Sequence, residues 1–168
     1  MPSFDKNKFK EVLHYIIFKC GNLDYIGKTV LYKLLYFSDF DYYEKFEKYL
    51  TGESYYSLPH GPAPSHFNST IRKLKEEGLI REVRVNYHGH TQNKFKSIIQ
   101  PELLSLNPDE KTVLDKTIKK LCNMNATQIS AYSHMDMPWK AAKLHEKLDY
   151  ELVFYRNRLM SVVGNTDE

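Results

Sequence analysis

The sequence of 168 residues lacks both the cysteines of a disulfide-rich protein and the long apolar segments of a membrane protein. Its two cysteines, Cys20 and Cys122, fall on the apolar stripes of predicted helices, a position typical of reduced core thiols. No apolar run approaches the roughly 20 residues that a membrane-spanning helix needs. The N-terminus also lacks the apolar core and cleavage site of a secretory signal. We therefore expect a cytoplasmic protein without a membrane partner.

Signatures of the common enzyme and metal-binding classes are missing as well. There is no GxSxG, GxxxxGK or GxGxxG motif, and no CxxC or HExxH spacing of metal ligands. His88 and His90 flank a glycine at a predicted hairpin tip, where two ligands are too few for a tight metal site. Asp39, Asp41 and Glu44 share one helix, where hydrogen bonding or solvation explains them better than acid–base catalysis. The residues thus give little support for an enzyme.

The composition is that of a globular protein with an excess of aromatic residues. Hydrophobic residues make up 42% and charged residues 27% of the chain, which excludes a disordered polymer. There are 13 Tyr and 9 Phe against one Trp, and tyrosine suits half-buried surfaces and interfaces. The net charge of +3 is too small to indicate a nucleic-acid partner by itself.

Apolar residues recur with helical spacing in most of the chain, and one later stretch alternates like a β-hairpin. We predict a mainly α fold with a small antiparallel hairpin, an α+β domain, over residues 1–163, with a loose tail at 164–168. The predicted helices cover about 5–20, 28–49, 65–78, 108–123, 126–134 and 148–160, and the hairpin covers about 79–99. The second helix is apolar on nearly all sides, which places it at the centre of the domain.

The segment "SLPHGPAPSHF", from Ser57 to Phe67, carries three prolines within six residues. Proline lacks the N–H group and fixes φ, so this segment is neither a regular helix nor a central strand. A short strand, "SYYSL", precedes it in our prediction. Because a helix signal follows directly, we interpret the segment as a rigid turn that starts the third helix.

A winged-helix arrangement that binds DNA is the alternative interpretation. Three helices followed by a hairpin have the order of such a domain. Acidic residues interrupt the basic ones on the third helix, so no continuous basic stripe forms. The residues that would contact DNA are Arg72, Lys73, Lys75, Arg81, Arg84, Lys94 and Lys96.

Four short motifs, which follow one another in a fixed order, point to one protein family more specifically than the composition does. They are "KLLYFSD" (33–39), the turn "TGE" (51–53), "HGPAP" (60–64) and "SHMDMPWKAA" (133–142). In this order the chain resembles the SocA-like, or Panacea, antitoxin domain, a family that is also met in phage-associated proteins. The resemblance covers about residues 9–145. Ala63 stands where the family often has valine, and its late acidic pair is represented by Asp136 alone.

The resemblance implies a bacterial antitoxin with a role in phage defence, one that neutralises a cognate protein toxin encoded nearby by binding it directly. It implies no enzymatic activity and no cofactor. The motif residues expected to build the fold are Lys33, Asp39, His60, Gly61, Pro62, His134, Pro138 and Trp139. Of these, we expect Trp139 to fill the core, with an anchor at the interface as the alternative, and His134 to make a polar bond in the core. The residues expected to contact the toxin are Tyr49, Tyr55, Tyr56, His60, Gly61 and Pro62.

Overall fold

The architecture is arranged around one central helix, α2 (Lys28–Phe46), in a computed structural model that describes residues 3–164. Fourteen of the 19 residues of α2 are buried, because other elements pack on all of its sides. Its neighbours are α1 (Lys6–Cys20), α4 (Pro108–Leu121), α5 (Ala126–His134), strand β2 (Gly61–Pro64) and a 3₁₀ helix (Tyr150–Tyr155). The predicted central position of this helix is confirmed.

Two separate antiparallel hairpins complete the fold, which confirms the predicted α+β class. Strand β1 (Tyr55–Leu58) pairs with β2, and β3 (Ile80–Tyr87) pairs with β4 (His90–Ser97). The two remaining helices are α3 (Phe67–Glu76) and the short α6 (Met137–Lys140). The hydrophobic core draws on residues from Phe9 to Met160.

The starts of α1 and α4 follow local sequence signals. Asp5 caps α1 by accepting a hydrogen bond of 3.0 Å from the Lys8 backbone N–H. The rings of Phe4 and Phe9, at the two positions of a hydrophobic staple, lie 5.6 Å apart. Asn107 and Glu110 form a reciprocal capping box at the start of α4. These starts were predictable because the signals involve residues close together in the chain.

The structure corrects three of the predicted helices in particular. Helix α2 ends at Phe46 and not at 49, because Glu47 takes the left-handed conformation with φ 55° and caps it. Helix α3 begins at Phe67 and not at 65, because Pro64 belongs to β2. The helix predicted over 148–160 is only the 3₁₀ helix of six residues.

The proline-rich segment contains the end of β1, the hairpin turn at 59–60 and the whole of β2, which corrects the prediction of a rigid turn alone. In the register of β1 with β2, Tyr55 lies opposite Pro64 and Ser57 lies opposite Pro62. The backbones of Tyr55 and Ser57 bond away from β2, to a segment at 145–148. Both prolines therefore occupy positions where the β1–β2 ladder needs no N–H donor.

A buried ionic network fixes the C-terminal segment to α2. The Arg156 side chain is 0% exposed and donates hydrogen bonds of 2.8–2.9 Å to Asp41, Glu44 and Asp136. Tyr36 adds a hydrogen bond of 2.7 Å to Asp136. Burial raises the pKa of Asp41 to about 6, although the charge of Arg156 opposes this rise. One guanidinium thus offsets three acidic side chains from two parts of the fold.

The single-domain boundary at 163 stays a prediction, and residues 165–168 of the predicted tail lie outside the described residues. Over residues 3–164, no helix combines the length and the apolar character that crossing a membrane requires.

Arg156→Met should destabilise the protein by about 3–5 kcal/mol, because it leaves buried carboxylates without their cation. Lys75→Met is the matched control, since it removes a partly exposed ion pair of 2.8 Å with Glu82. The control should cost at most about 1 kcal/mol. Urea denaturation at pH 7 measures both free energies of unfolding. Equal losses in the two variants would contradict a structural role for the network.

Candidate functional site under the proline-rich hairpin

The hairpin β1–β2 covers a group of polar motif residues on α2 and α5. Gly61, at the start of β2, has φ 120°, a backbone conformation that favours glycine. A Cβ atom built on Gly61 would lie 2.6 Å from Lys33 Cε and 2.6 Å from Ser133 Oγ. The "HGP" motif therefore requires glycine because the hairpin backbone lies directly on the Lys33 and Ser133 side chains.

Lys33 is a buried residue without a compensating charge. Its side chain comes from the first half of α2, and the residue is only 1% exposed. In the described part of the chain, no carboxylate pairs with the Lys33 side chain. Burial lowers the pKa of Lys33 to about 8, because the charged form loses its hydration and no carboxylate replaces it. The amine stays mostly charged at neutral pH.

His134 lies beside this amine at the end of α5. Its ring stacks on Trp139, with the ring centroids 4.1 Å apart, and the indole N–H of Trp139 donates to the Leu58 carbonyl at 3.3 Å. The Nε2 atom of His134 is buried and has no hydrogen-bond partner in the described part of the chain. Burial and then the charge of Lys33 lower the pKa of His134, while a hydrogen bond with the Pro59 backbone opposes them.

Trp139 and His134 were expected in the core, and the structure places both at its edge. Trp139 packs against the core but stays half-buried, as His134 does, whereas Pro138 is fully buried. The expected polar bond of His134 is limited to the Pro59 backbone. The stack therefore forms one wall of the site and also reaches the surface.

Asp39, six residues after Lys33 in α2, connects the helix to the "TGE" turn and to β1. Its carboxylate accepts hydrogen bonds from the Thr51 backbone N–H at 2.8 Å, from the Thr51 hydroxyl and from the Tyr55 hydroxyl at 2.6 Å. Burial raises the pKa of Asp39 to about 7, although these hydrogen bonds favour the ionised form. The contacts of Asp39 make it a structural residue.

The predicted toxin-contact residues divide into exposed and buried ones. Tyr56 is 38% exposed, His60 is exposed and Tyr49 is half-buried. Tyr55, by contrast, is 0% exposed, because its ring packs on the aromatic side chains of α2. Gly61 and Pro62 are buried too, since β2 lies on α2 and α5. The expectation of surface contacts is therefore corrected for these three residues.

The residues of the DNA-binding alternative do not share one free surface. Lys94 is buried and donates to the Leu23 carbonyl, Lys75 pairs with Glu82 and Lys73 lies 3.8 Å from Glu77. The β1–β2 hairpin also interrupts the helix order of a winged helix. Arg72, Arg81 and Arg84 are exposed, and Lys96 is half-buried. DNA binding stays an untested alternative.

Catalysis by a cysteine and binding of a metal ion find no support in the described residues. Burial raises the pKa of Cys20 to about 12, with a smaller contribution from Cys122, so its reactive thiolate is suppressed. Within residues 3–164, no group of three His, Cys, Asp or Glu side chains could hold a metal ion.

Sequence reasoning missed three polar residues that organise this region. Ser133 contacts the hairpin, Arg156 holds the ionic network, and the buried Glu53 accepts hydrogen bonds from Ser54, Ser65 and His66. Ser133 and Glu53 both lie inside quoted motifs, so the motifs themselves were the signal. Arg156 carries no local signal, because its partners are 20 or more residues away in the chain.

Gly61→Ala should cost about 2–3 kcal/mol of stability, because the new methyl group meets Lys33 and Ser133 and the backbone conformation is strained. Gly78→Ala is the control, since Gly78 also has a positive φ, of 73°, but no atom within 4 Å of the added Cβ. We expect the control to cost about 1 kcal/mol. Chemical denaturation compares the two, and equal losses would contradict tight packing of the hairpin on Lys33.

The buried Asp39 should give a measurable pH dependence of stability. Its pKa of about 7 in the folded protein exceeds the ordinary value of 3.8. The folded state therefore binds a proton that the unfolded state releases, and its stability rises as the pH falls from about 7 towards 4. Relative to Asp39→Asn, the wild type should gain about 1.4 kcal/mol per pH unit in this range. Parallel stability profiles of the two proteins would refute this assignment.

Comparison with known proteins gives one family. The model of the family described as "Antitoxin SocA-like, Panacea domain" matches residues 31–140, well over half of the chain. This span contains the central helix from Leu31 onward, the β1–β2 hairpin and the His134–Trp139 stack. No curated protein and no solved structure matches the chain significantly.

Proposed function

Because the chain belongs to the SocA-like Panacea antitoxin family, we propose that it neutralises a cognate protein toxin, encoded by a neighbouring gene, by direct binding. The single observation that carries the proposal is the family match over residues 31–140. A protein of this kind acts through its surface, so the proposal needs a rigid surface with exposed apolar groups.

The β1–β2 hairpin supplies such a surface. Tyr56, Pro59 and His60 are exposed there, and we call these three residues the hairpin surface. Behind them, the segment at 145–148 bonds to β1: the His145 N–H donates to the Ser57 carbonyl at 2.7 Å, and the Leu148 N–H donates to the Tyr55 carbonyl at 2.8 Å. Backbone bonds on both edges of β1 keep the surface ordered, which lowers the entropy cost of binding.

Exposed apolar side chains continue into the late part of the chain. Met135 is 42% exposed, Leu144 59% and Tyr155 69%. They lie on or beside elements that pack together, since α6 contacts the 3₁₀ helix and the segment at 145–148 borders β1. Aromatic and methionine side chains are enriched in protein interfaces, so this region supports a protein partner.

Co-expression with the neighbouring gene tests the proposal. The wild type should restore growth to cells that express the toxin, and a Tyr56→Ala/His60→Ala variant should lose most of this rescue while it stays folded. Ile98→Ala/Leu104→Ala is the matched control, because these side chains are 58% and 84% exposed and lie outside the hairpin. The control should rescue fully.

Two outcomes would count against the proposal. If the wild type fails to rescue growth and does not co-purify with the product of the neighbouring gene, direct neutralisation is wrong. If the wild type rescues and the hairpin variant rescues equally well, the function stands but the contact surface lies elsewhere. Circular dichroism of both variants shows whether a loss of rescue reflects lost contacts or lost folding.

A further inference from the structure

The two cysteines of the chain lie side by side in the fold, although they are far apart in the sequence. Helix α1 ends at Cys20, and Cys122 caps the end of α4. We propose that these two thiols form a reversible disulfide bond when a small-molecule disulfide oxidises them, and that the bond fastens α1 to α4. This modification site goes beyond the proposed function and does not depend on it.

Contact between the two side chains is the first observation behind this site. The Cys122 thiol acts on Cys20 through a side-chain hydrogen bond as well as through its charge. Tyr25, in the loop between α1 and α2, is affected by the charges of both thiols in addition to its own burial. Helices α1 and α4 also contact each other. The two sulfur atoms therefore lie together in the folded protein, as a disulfide requires.

The two thiols differ in their access to solvent, and this difference assigns them different steps. Cys122 is half-buried in the turn that follows α4, whereas Cys20 is 0% exposed. Burial, and then the neighbouring Cys122, raises the pKa of Cys20 to about 12, although the charge of Lys19 opposes this rise. Because the attacking species is an accessible thiolate, the reaction starts at Cys122 and Cys20 acts second.

The oxidation takes two exchange steps with glutathione disulfide as the oxidant. The Cys122 thiolate attacks one sulfur of the oxidant, so that a mixed disulfide forms and one glutathione leaves and takes up the proton of Cys122. The Cys20 sulfur then attacks the Cys122 sulfur, and the second glutathione leaves with the proton of Cys20. Two protein thiols lose two electrons and become one disulfide, while one glutathione disulfide is reduced to two glutathione molecules.

No other thiol of the chain competes for either partner. The sequence has two cysteines, so a bond within one molecule can join only Cys20 and Cys122. The thiol that resolves the mixed disulfide is already in contact with it, and such a reaction within one molecule is favoured over a reaction between molecules. The oxidised product should therefore contain one internal disulfide and no covalent dimer.

The bond closes a long loop around the centre of the fold. Helices α1 and α4 both pack on α2, and the loop between the two cysteines contains α2, α3 and both hairpins. Cross-linking a loop of about 100 residues restricts the unfolded chain and so stabilises the folded one. Since α1 precedes the family match at 31–140 and Cys122 lies inside it, the bond would hold this helix covalently to the family domain.

Glutathione disulfide is the probe, applied to the native full chain at neutral pH. Alkylation with N-ethylmaleimide after denaturation, followed by intact mass spectrometry, then counts the thiols that are still free. The wild type should lose both free thiols without keeping glutathione, and dithiothreitol should restore them. Its thermal midpoint should rise by roughly 5–15 °C on oxidation, because the closed loop restricts the unfolded chain.

Two matched variants separate the roles of the thiols. Cys20→Ala should stop at a glutathione adduct on Cys122, and Cys122→Ala should keep the Cys20 thiol free, because the oxidant does not reach it. Oxidant should raise the thermal midpoint of neither variant. If the buried Cys20→Ala fails to fold by circular dichroism, the comparison of the wild type with Cys122→Ala decides, since Cys122 is only half-buried.

The internal disulfide is refuted if the wild type keeps both thiols free, if it retains glutathione on Cys122, or if it forms a covalent dimer instead. An oxidised wild type that melts at or below the temperature of the reduced protein would refute the fastening of α1 to α4. The experiment uses this protein alone, so each of these outcomes leaves the proposed function standing.

Discussion

The burial of α2 on all sides is the constraint on which the rest of the structure depends. This helix carries polar as well as apolar residues, and every polar group that it brings inside must find a partner there. Asp39 is satisfied by Thr51 and Tyr55, and Ser38 donates to the Leu34 carbonyl at 2.7 Å. The partners of Asp39 lie outside α2, so the helix determines where those parts of the chain lie.

The C-terminal part of the chain shows how strongly the buried polar groups of α2 require partners. Asp41 and Glu44 need a cation, and Arg156 reaches them from the end of the 3₁₀ helix while it also binds Asp136. Glu44 further accepts hydrogen bonds from the Ser161 hydroxyl and from the Val162 backbone N–H. A segment with little regular secondary structure is thus held in place by charge pairing more than by its own helix propensity.

Lys33 is the exception to this pairing, since no carboxylate meets its side chain in the described part of the chain. The hairpin over Lys33 is built for close contact, since Gly61 has no side chain and both prolines of β2 face away from the ladder. The same strand therefore covers the amine and presents Tyr56 and His60 to a partner.

The sequence by itself determined the starts of α1 and α4, the central position of α2, the β3–β4 hairpin and the family, because each depends on a local pattern or on short motifs in order. The strand β2 could not be predicted from Pro62 and Pro64. A proline is excluded from a strand only where the partner strand needs its N–H group, and the register of β1 with β2 decides where that is. Tyr55 and Arg156 could not be placed either, because their hydrogen-bond partners lie elsewhere in the chain. Only the tertiary structure decided which tyrosines are exposed and that Lys33 and Ser133 lie beneath Gly61, because burial and pairing are properties of the packed chain.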